Sequence, residues 1–271
     1  MADNRIDKFF CNNIINCQKV VFGVNQIMNK KINLSNYLIV GPENTNNRPV
    51  EEIVKAAITA GFTCVQLRSK IASARELINL AEHCANIIAE LKKSSEIALL
   101  IDDRLDVAIE ARFKGIKVDG VHVGQDDISP EICRKYLGNE AIVGFTPRKI
   151  NMIEYVKSND FSFVDYFGVG PFHASISKPE AGQQNDGSVV TRSFEELKEL
   201  MKITPVPVIV GGGVTVKDLP DLAKIGANGF FVISAVTNAE NPYHAAKNLV
   251  DRWKKLVQSR SSIGTVSIPS A

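Results

Sequence analysis

The sequence has little that points to a polyelectrolyte or membrane partner. Its formal net charge is only +2, and its Lys and Arg residues are scattered instead of clustered. A weak and dispersed positive charge leaves no electrostatic footprint for a nucleic acid, so we expect no nucleic-acid partner. No apolar run approaches the length of a membrane span, and we expect no membrane partner.

Cysteine pairs and targeting signals are lacking as well. The five cysteines are dispersed and form no Cys-x-x-Cys pair. An odd, dispersed set in a chain of this size is typical of reduced, structural thiols. The first residues lack the basic-then-apolar order of a signal peptide. We therefore expect a soluble, cytoplasmic protein.

Short apolar runs alternate with segments of helical periodicity along most of the chain. Helical character is predicted at 50–60, 74–92, within 106–117, and at 150–158, 194–201, 219–225 and 242–257. Strands are predicted at 37–40, 64–67, 98–101, 120–124, 141–145, 166–170, 206–210 and 229–233. Eight strand–helix units in a chain of 271 residues favour an α/β fold, a (β/α)8 TIM barrel, over an open doubly wound sheet.

The remaining segments predict three parts of the chain. Residues 1–35 are polar and Asn-rich and are expected to form an N-terminal helical extension. Residues 36–257 form the predicted barrel, and residues 258–271, rich in Ser, form a flexible, disordered tail. His122 falls inside a predicted strand and is expected to pack in the barrel interior.

Acidic residues follow two neighbouring strands. Asp102 and Asp103 come after 98–101, and Asp126 and Asp127 come after 120–124. The carboxyl ends of parallel strands form the ligand edge of such folds, and Mg²⁺ takes one or two carboxylates plus substrate phosphates. A helix cap is the alternative for either pair alone. Two adjacent strands with the same feature favour a magnesium site.

Basic and glycine-rich segments follow other strands. Gln66, Arg68 and Lys70 fall on one side of an extended segment, which suits a pyrophosphate or another dense anion. A solvated basic loop is the alternative. The glycines at 211–213 and the segment after 229–233 are typical of a phosphate cradle, although glycines also permit tight packing. Two phosphorylated substrates are implied, one needing Mg²⁺, and no general base is evident at a strand end.

Several motifs together resemble thiamine phosphate synthases over roughly 37–255. The residues that carry the resemblance are Gln66-Leu67-Arg68-Ser69-Lys70, Ile101-Asp102-Asp103-Arg104, Gly120-Val121-His122-Val123-Gly124-Gln125-Asp126-Asp127, Gly144-Phe145-Thr146, Gly168-Val169-Gly170-Pro171 and Val232-Ile233-Ser234-Ala235.

The resemblance implies an enzyme that joins a hydroxymethylpyrimidine pyrophosphate to a thiazole phosphate and releases pyrophosphate. It implies Mg²⁺ as cofactor, held by Asp103 and Asp127, and two small-molecule substrates as partners. A homo-oligomer stays open. Arg68, Lys70 and Lys178 are the implied catalytic residues. The implied substrate-binding residues are Gln66, Leu67, Arg68, Ser69, Lys70, Asp102, Thr146, Ser175, Ile176, Ser177, Lys178, Gly213, Ile233 and Ser234.

One departure from the family's pattern concerns substrate recognition. Asp102 stands where the family usually has an Asn that touches the pyrimidine, and a carboxylate is an acceptor only. Two alternatives remain: a thiazole tautomerase-like isomerase, and a catalytically silent homologue that binds a phosphate ligand. Retention of Arg68, Lys70, Asp103, Asp127 and Lys178 together favours the synthase.

Overall fold

The protein is a closed barrel of parallel strands surrounded by helices. The computed structural model describes residues 32–147, 150–174 and 189–263. Eight strands follow one another around the barrel in chain order, and the last pairs with the first through Tyr37 and Phe231. The TIM-barrel prediction is confirmed. The strands are β1 (Asn36–Val40), β2 (Cys64–Leu67), β3 (Ala98–Asp102), β4 (Gly120–Val123), β5 (Ile142–Phe145), β6 (Tyr166–Val169), β7 (Val208–Gly211) and β8 (Gly229–Val232).

The helices lie between the strands, as the alternating pattern requires. Those of the described ranges are α1 (Val50–Ala60), α2 (Ala74–Glu90), α3 (Leu105–Phe113), α4 (Pro130–Leu137), α5 (Met152–Ser158), α6 (Phe194–Ile203), α7 (Leu219–Ile225), α8 (Ser234–Thr237) and α9 (Pro242–Ile263). Local signals set several of their ends. Ser73 and Glu76 form a capping box at the start of α2, and Gly61 ends α1 in the left-handed conformation.

The strands of the barrel have an apolar cluster on each of their two faces. Alternate residues such as Leu38 and Val65 pack outward against the helices, within the large outer cluster. The residues between them, such as Ile39 and Leu100, form a small inner cluster inside the barrel. Because successive side chains of a strand point to opposite faces, every second position of each strand reaches the interior.

Helix α4 is absent from the sequence prediction, and the structure supplies it after β4. Ser129 caps the helix by accepting a hydrogen bond from the backbone amide of Ile132, and Pro130 occupies its first position. Cys133 and Leu137 are the side chains it buries. The helix has only eight residues and buries only two of them, so its apolar side is too short to stand out in the sequence; the Ser-Pro start was the signal that could have located it.

The helix that closes the barrel is longer than predicted. Helix α9 continues to Ile263, so the first residues of the predicted disordered tail are helical. The guanidinium of Arg260 donates a hydrogen bond to the carbonyl of Ala223, which holds the last turns of α9 against α7. At the other end, Leu34 precedes β1 and is buried in the inner cluster. Residues 1–31 and 264–271 lie outside the described residues.

The described cysteines are structural. Cys64, Cys84 and Cys133 are free thiols, and all three are buried. Burial raises the pKa of Cys84 to about 12, which keeps it protonated and unreactive. In the described ranges no helix combines the length and the apolar character needed to cross a membrane.

Glycines at two strands make room for rings inside the barrel. A Cβ at Gly144 would lie 2.2 Å from Cζ of Tyr166 and 2.5 Å from Nδ1 of His122. A Cβ at Gly168 would lie 2.8 Å from Cε1 of His122. His122 therefore packs in the barrel interior, as predicted, because its neighbours across β5 and β6 have no side chain.

We expect Gly144→Ala to destabilise the barrel by roughly 1–3 kcal/mol, the usual cost of overpacking a rigid core. The added methyl group would displace the Tyr166 and His122 rings, whose nearest atoms lie 2.2 Å and 2.5 Å from its position. Denaturant unfolding measures the loss, and the near-ultraviolet tyrosine signal reports ring displacement. Unchanged stability together with an unchanged tyrosine signal would contradict this packing.

Candidate active site

A cavity of about 1010 Å³ lies at the carboxyl ends of the strands. Its walls come from the last residues of the strands and the loops that follow them, as expected for a TIM barrel. The predicted site residues that line the cavity are Gln66, Lys70, Asp102, Asp103, Asp127, Thr146, Gly213, Ile233 and Ser234.

The other predicted site residues have different positions. Leu67, Arg68 and Ser69 are not among the residues that line the cavity. Leu67 faces the outer cluster. Ser175, Ile176, Ser177 and Lys178 lie outside the described residues, so the roles predicted for them stay predictions.

Asp103 projects from a tight turn at the end of β3. The amide of Arg104 donates to the carbonyl of Asp102 at 2.6 Å, and Asp103 between them has a φ of 59°. Its own amide donates to the carbonyl of His122 at 2.8 Å. Left-handed backbone outside glycine is uncommon and tends to occur at functional sites, where the surrounding structure holds it. The turn directs this carboxylate to the rim of the cavity.

Asp103 and Asp127 form an interacting pair of carboxyl groups. Burial would raise the pKa of Asp103, but hydrogen bonds from Lys70 and Asp127 lower it below its usual range. Burial, together with its hydrogen bond to Asp103, raises the pKa of Asp127. One oxygen of Asp127 also accepts from the amide of Gly124 at 2.8 Å, which holds the β4 loop. The pKa values of the two groups are thus shifted in opposite directions, as expected for two carboxyl groups that are close enough to repel each other when both are charged.

Lys70 brings a cation to this acid pair. Its ammonium forms an ion pair with Asp103, and its side chain is 52% exposed. Burial would lower the pKa of Lys70, but the hydrogen bond and the charge of Asp103 raise it. Lys70 is therefore a charged group at the cavity rim with freedom to turn toward an anion.

Glu43 holds the segment that carries Lys70, and the sequence reading missed it. Its Oε1 accepts from Ser69 Oγ at 2.5 Å and from the amide of Lys70 at 2.8 Å. The amide of Ile71 also donates to it at 3.3 Å. Glu43 follows β1 by only a few residues, so the signal was an acid just beyond a strand end. Ser69 therefore contacts Glu43 instead of the cavity.

Arg68 and Asp102 form a buried ion pair. Arg68 Nε lies 3.2 Å from Asp102 Oδ2, and the residues are only 8% and 5% exposed. The other oxygen of Asp102 accepts a hydrogen bond from Nε2 of Gln66. The sequence predicts Arg68 and Gln66 on one face of the segment, but only Gln66 reaches the cavity wall.

Polar side chains inside the barrel connect Gln66 to the opposite wall. The hydroxyl of Tyr37 donates to Gln66 Oε1 at 3.0 Å and lies 2.7 Å from the hydroxyl of Tyr166. His122 Nδ1 lies 3.0 Å from the Tyr166 hydroxyl, and its Nε2 lies 2.9 Å from Thr146 Oγ1. The sequence reading assigned no role to Tyr37 and Tyr166. The sequence feature that could have identified them is a polar side chain at an inward position of an otherwise apolar strand.

The glycines after β7 allow two loops to approach closely. Gly212 and Gly213 have φ of 81° and 72°. A Cβ at Gly212 would lie 2.7 Å from Pro171 Cα, and one at Gly213 would lie 2.8 Å from His173 Cβ. His173 Nε2 contacts Asp218 Oδ1 at 2.9 Å, which ties the β6 loop to the β7 loop. Gly213 lines the cavity on this side, as do Ile233 and Ser234.

Known proteins are similar to this chain in sequence and in architecture. The profile of the thiamine monophosphate synthase family matches residues 36–236. A thiamine-phosphate synthase of Natronomonas pharaonis is 34% identical over 215 residues, which cover 79% of this chain and 92% of the relative. One of Persephonella marina is 31% identical over 230 residues, covering 85% and 99%.

The chain belongs to the thiamine monophosphate synthase family. A solved thiamine phosphate pyrophosphorylase from Pyrococcus furiosus superposes with a TM-score of 0.66 at 24% identity, covering 83% of this chain and 98% of that one. This likeness supports the fold alone. The resemblance drawn from the strand-end motifs is thus confirmed at the level of the thiamine monophosphate synthase family.

We expect Glu43→Ala to loosen the segment that carries Lys70. Hydrogen exchange of the Lys70 and Ile71 amides should speed up, since both lose their acceptor. Glu52→Ala removes the same charge from an exposed position on α1 and should leave these amides unchanged. Equal exchange in both variants would show that Glu43 does not hold the segment.

The same variant tests a pH dependence. Burial raises the pKa of Glu43, but the hydrogen bonds from Ser69 and the two amides bring it below its usual value of 4.5. The stabilisation is therefore present above the unfolded pKa and is lost as pH falls through the folded one. The difference in melting temperature between parent and Glu43→Ala should shrink on acidification below about pH 4.5.

Proposed function

We propose that this chain is a thiamine-phosphate synthase. In the proposed reaction a hydroxymethylpyrimidine pyrophosphate and a thiazole phosphate give thiamine phosphate and pyrophosphate. The supporting observation is that one cavity holds Lys70, Asp103 and Asp127 together with the glycine-lined side of Gly213 and Ser234. The first group suits a pyrophosphate with its metal ion, and the second suits a phosphate monoester.

The acid pair fits a divalent cation. Asp103 and Asp127 are two carboxyl groups beside one ammonium, Lys70, and burial together with the hydrogen bond to Asp103 raises the pKa of Asp127. Mg²⁺ takes one or two carboxylates together with substrate phosphates, and these two residues would hold it. When bound, Mg²⁺ would neutralise charge on the departing pyrophosphate. In the described part of the chain no group of three acidic, His or Cys side chains is arranged to hold a metal ion by itself.

The chemistry that we propose needs charge neutralisation and no strong base. The carbon–oxygen bond to the pyrophosphate breaks, and its electron pair leaves with the pyrophosphate. The thiazole nitrogen then forms the new carbon–nitrogen bond with its own lone pair, so no proton has to be removed. The Lys70 ammonium is exposed enough to turn from Asp103 to the leaving group, where its charge matters most in the transition state.

Two further roles come from the sequence. Lys178 would add a second ammonium to the leaving pyrophosphate, and Ser175 and Ser177 would donate to the thiazole phosphate. Arg68, whose guanidinium faces Asp102, would act on the pyrophosphate only if it leaves that pair. We therefore assign the leaving-group role to Lys70 and Lys178 before Arg68.

The acid pair also separates the synthase from the alternative isomerase. A thiazole tautomerase-like reaction would use the phosphate side of the cavity and would give Lys70, Asp103 and Asp127 no task. The buried, reduced cysteines support a reducing compartment, and we propose a cytoplasmic location.

Asp103→Asn and Asp127→Asn should each lower kcat for pyrophosphate release by about 10²-fold or more, the scale of a lost electrostatic contact in a transition state. Both should keep the parent's far-ultraviolet spectrum. Asp126→Asn removes a neighbouring charge that also lines the cavity, so it separates a general loss of negative charge from the loss of the Asp103–Asp127 pair. Near-normal turnover in both test variants would reduce the two acids to structural roles and count against the proposed metal site.

Gly213→Ala should raise KM for the thiazole phosphate roughly tenfold, equal to about 1.4 kcal/mol of lost binding, because the new methyl group meets His173. KM for the pyrimidine pyrophosphate should change little. Gly115→Ala is the control, since Gly115 has a φ of 77° and no neighbour within 4 Å of an added Cβ. Calorimetry showing equal losses for both substrates would argue for a distorted barrel mouth instead of a phosphate cradle.

A further inference from the structure

A continuous chain of hydrogen bonds crosses the barrel interior beneath the cavity. On one side Asp102 faces Arg68 and accepts from Gln66, which accepts from Tyr37. On the other side the chain ends at a cavity wall, at Thr146. The connecting atoms are buried, so water cannot exchange for any of these partners without cost.

The first half of this chain has only one possible direction. The Gln66 amide presents its Nε2 to Asp102 Oδ1, and an amide nitrogen only donates, so Asp102 is the acceptor at this contact. The carbonyl of Gln66 then faces Tyr37, and a carbonyl accepts only. Tyr37 therefore donates its single hydroxyl proton to the hydrogen bond with Gln66 Oε1.

The second half follows from the first. The hydroxyl of Tyr37 can then only accept from Tyr166 across their 2.7 Å contact, so Tyr166 donates its hydroxyl proton to Tyr37. Tyr166 must then accept from His122, which requires a proton on Nδ1 of that imidazole. In the neutral ring Nε2 is left as an acceptor, and it takes the hydroxyl proton of Thr146.

We propose that Asp102 is a positioning residue that sets the direction of this chain and thereby holds neutral His122 in its Nδ1–H tautomer. Thr146 consequently offers only oxygen lone pairs to the cavity and selects a ligand group with an N–H or O–H to donate. The ligand part of this inference rests on the proposed function of the cavity, whereas the tautomer does not.

An amide in place of the carboxylate would reverse the chain. Arg68 only donates, so the side chain introduced by Asp102→Asn would turn its oxygen to Arg68 and its NH₂ to Gln66. Gln66 would turn over, Tyr37 would donate to Tyr166, and Tyr166 would donate to Nδ1 of His122. The ring would then carry its proton on Nε2, and Thr146 would be free to donate into the cavity.

The test is the His122 tautomer in the full-length protein, read from two-bond ¹H–¹⁵N correlations after ¹⁵N-histidine labelling, at mildly alkaline pH and without substrate. The chain has four histidines, so His122 is assigned by its loss in His122→Gln. We expect the Nδ1–H pattern in the parent protein and the Nε2–H pattern in Asp102→Asn. An Nε2–H or doubly protonated pattern in the parent, or an unchanged tautomer in Asp102→Asn, would overturn the proposal.

Tyr37→Phe supplies the matched control, because it removes the one hydroxyl that joins Gln66 to Tyr166. The Tyr166 proton is then released to Nδ1, so this variant alone should show the Nε2–H pattern, and adding Asp102→Asn should change nothing further. This variant keeps the test decisive if Asp102→Asn does not fold. A tautomer change on adding Asp102→Asn to Tyr37→Phe would contradict transmission through the chain.

Turnover measured on the same samples separates this proposal from the proposed function. A parent protein with the Nδ1–H pattern but no synthase turnover would count against the function and support the hydrogen-bond chain. An active parent protein with the Nε2–H pattern would support the proposed function and count against the hydrogen-bond chain.

Discussion

The closed barrel gives the two faces of each strand different neighbours, and the rest of the structure depends on this division. Outward positions meet helices and are filled by apolar side chains such as Leu38 and Val65. Inward positions meet only the strands across the barrel, where space is scarce. Glycines at Gly144 and Gly168 leave that space to the rings of Tyr166 and His122. The interior can therefore hold polar groups, provided that each finds a partner.

The polar interior and the charged rim serve the cavity differently. Inside, Asp102 and Arg68 are buried and paired, so their charges are balanced before any ligand binds. At the rim, the two carboxyl groups of Asp103 and Asp127 face one exposed ammonium, Lys70, and burial together with the hydrogen bond to Asp103 raises the pKa of Asp127. A site with such an imbalance is prepared for further cations. In the proposed reaction these further cations are the metal ion and the ammonium group of Lys178.

Much of the site was readable from residues at strand ends. The acids after β3 and β4 were predicted to converge because parallel strands end at one edge, and the family resemblance singled out Asp103 and Asp127. The structure brings the carboxyl groups of these two residues into contact. The position of Arg68 could not be predicted in the same way. Alternation along the segment predicts the face on which Arg68 lies but not how deeply its side chain is buried. Its guanidinium faces the buried carboxylate of Asp102 on the next strand. Helix α4 was missed because its apolar face is only two residues wide.

The barrel and the edge on which its site lies could be predicted from the sequence, because hydrophobic alternation and strand-end residues are local properties of the chain. Which polar groups meet inside the barrel depends on the folded structure. Tyr37 and Tyr166 are 129 residues apart, yet their hydroxyls touch because barrel closure sets β1 and β6 across the same interior. No local pattern encodes that distance, since it depends on the radius of the closed sheet and on the glycines that let two rings share its centre.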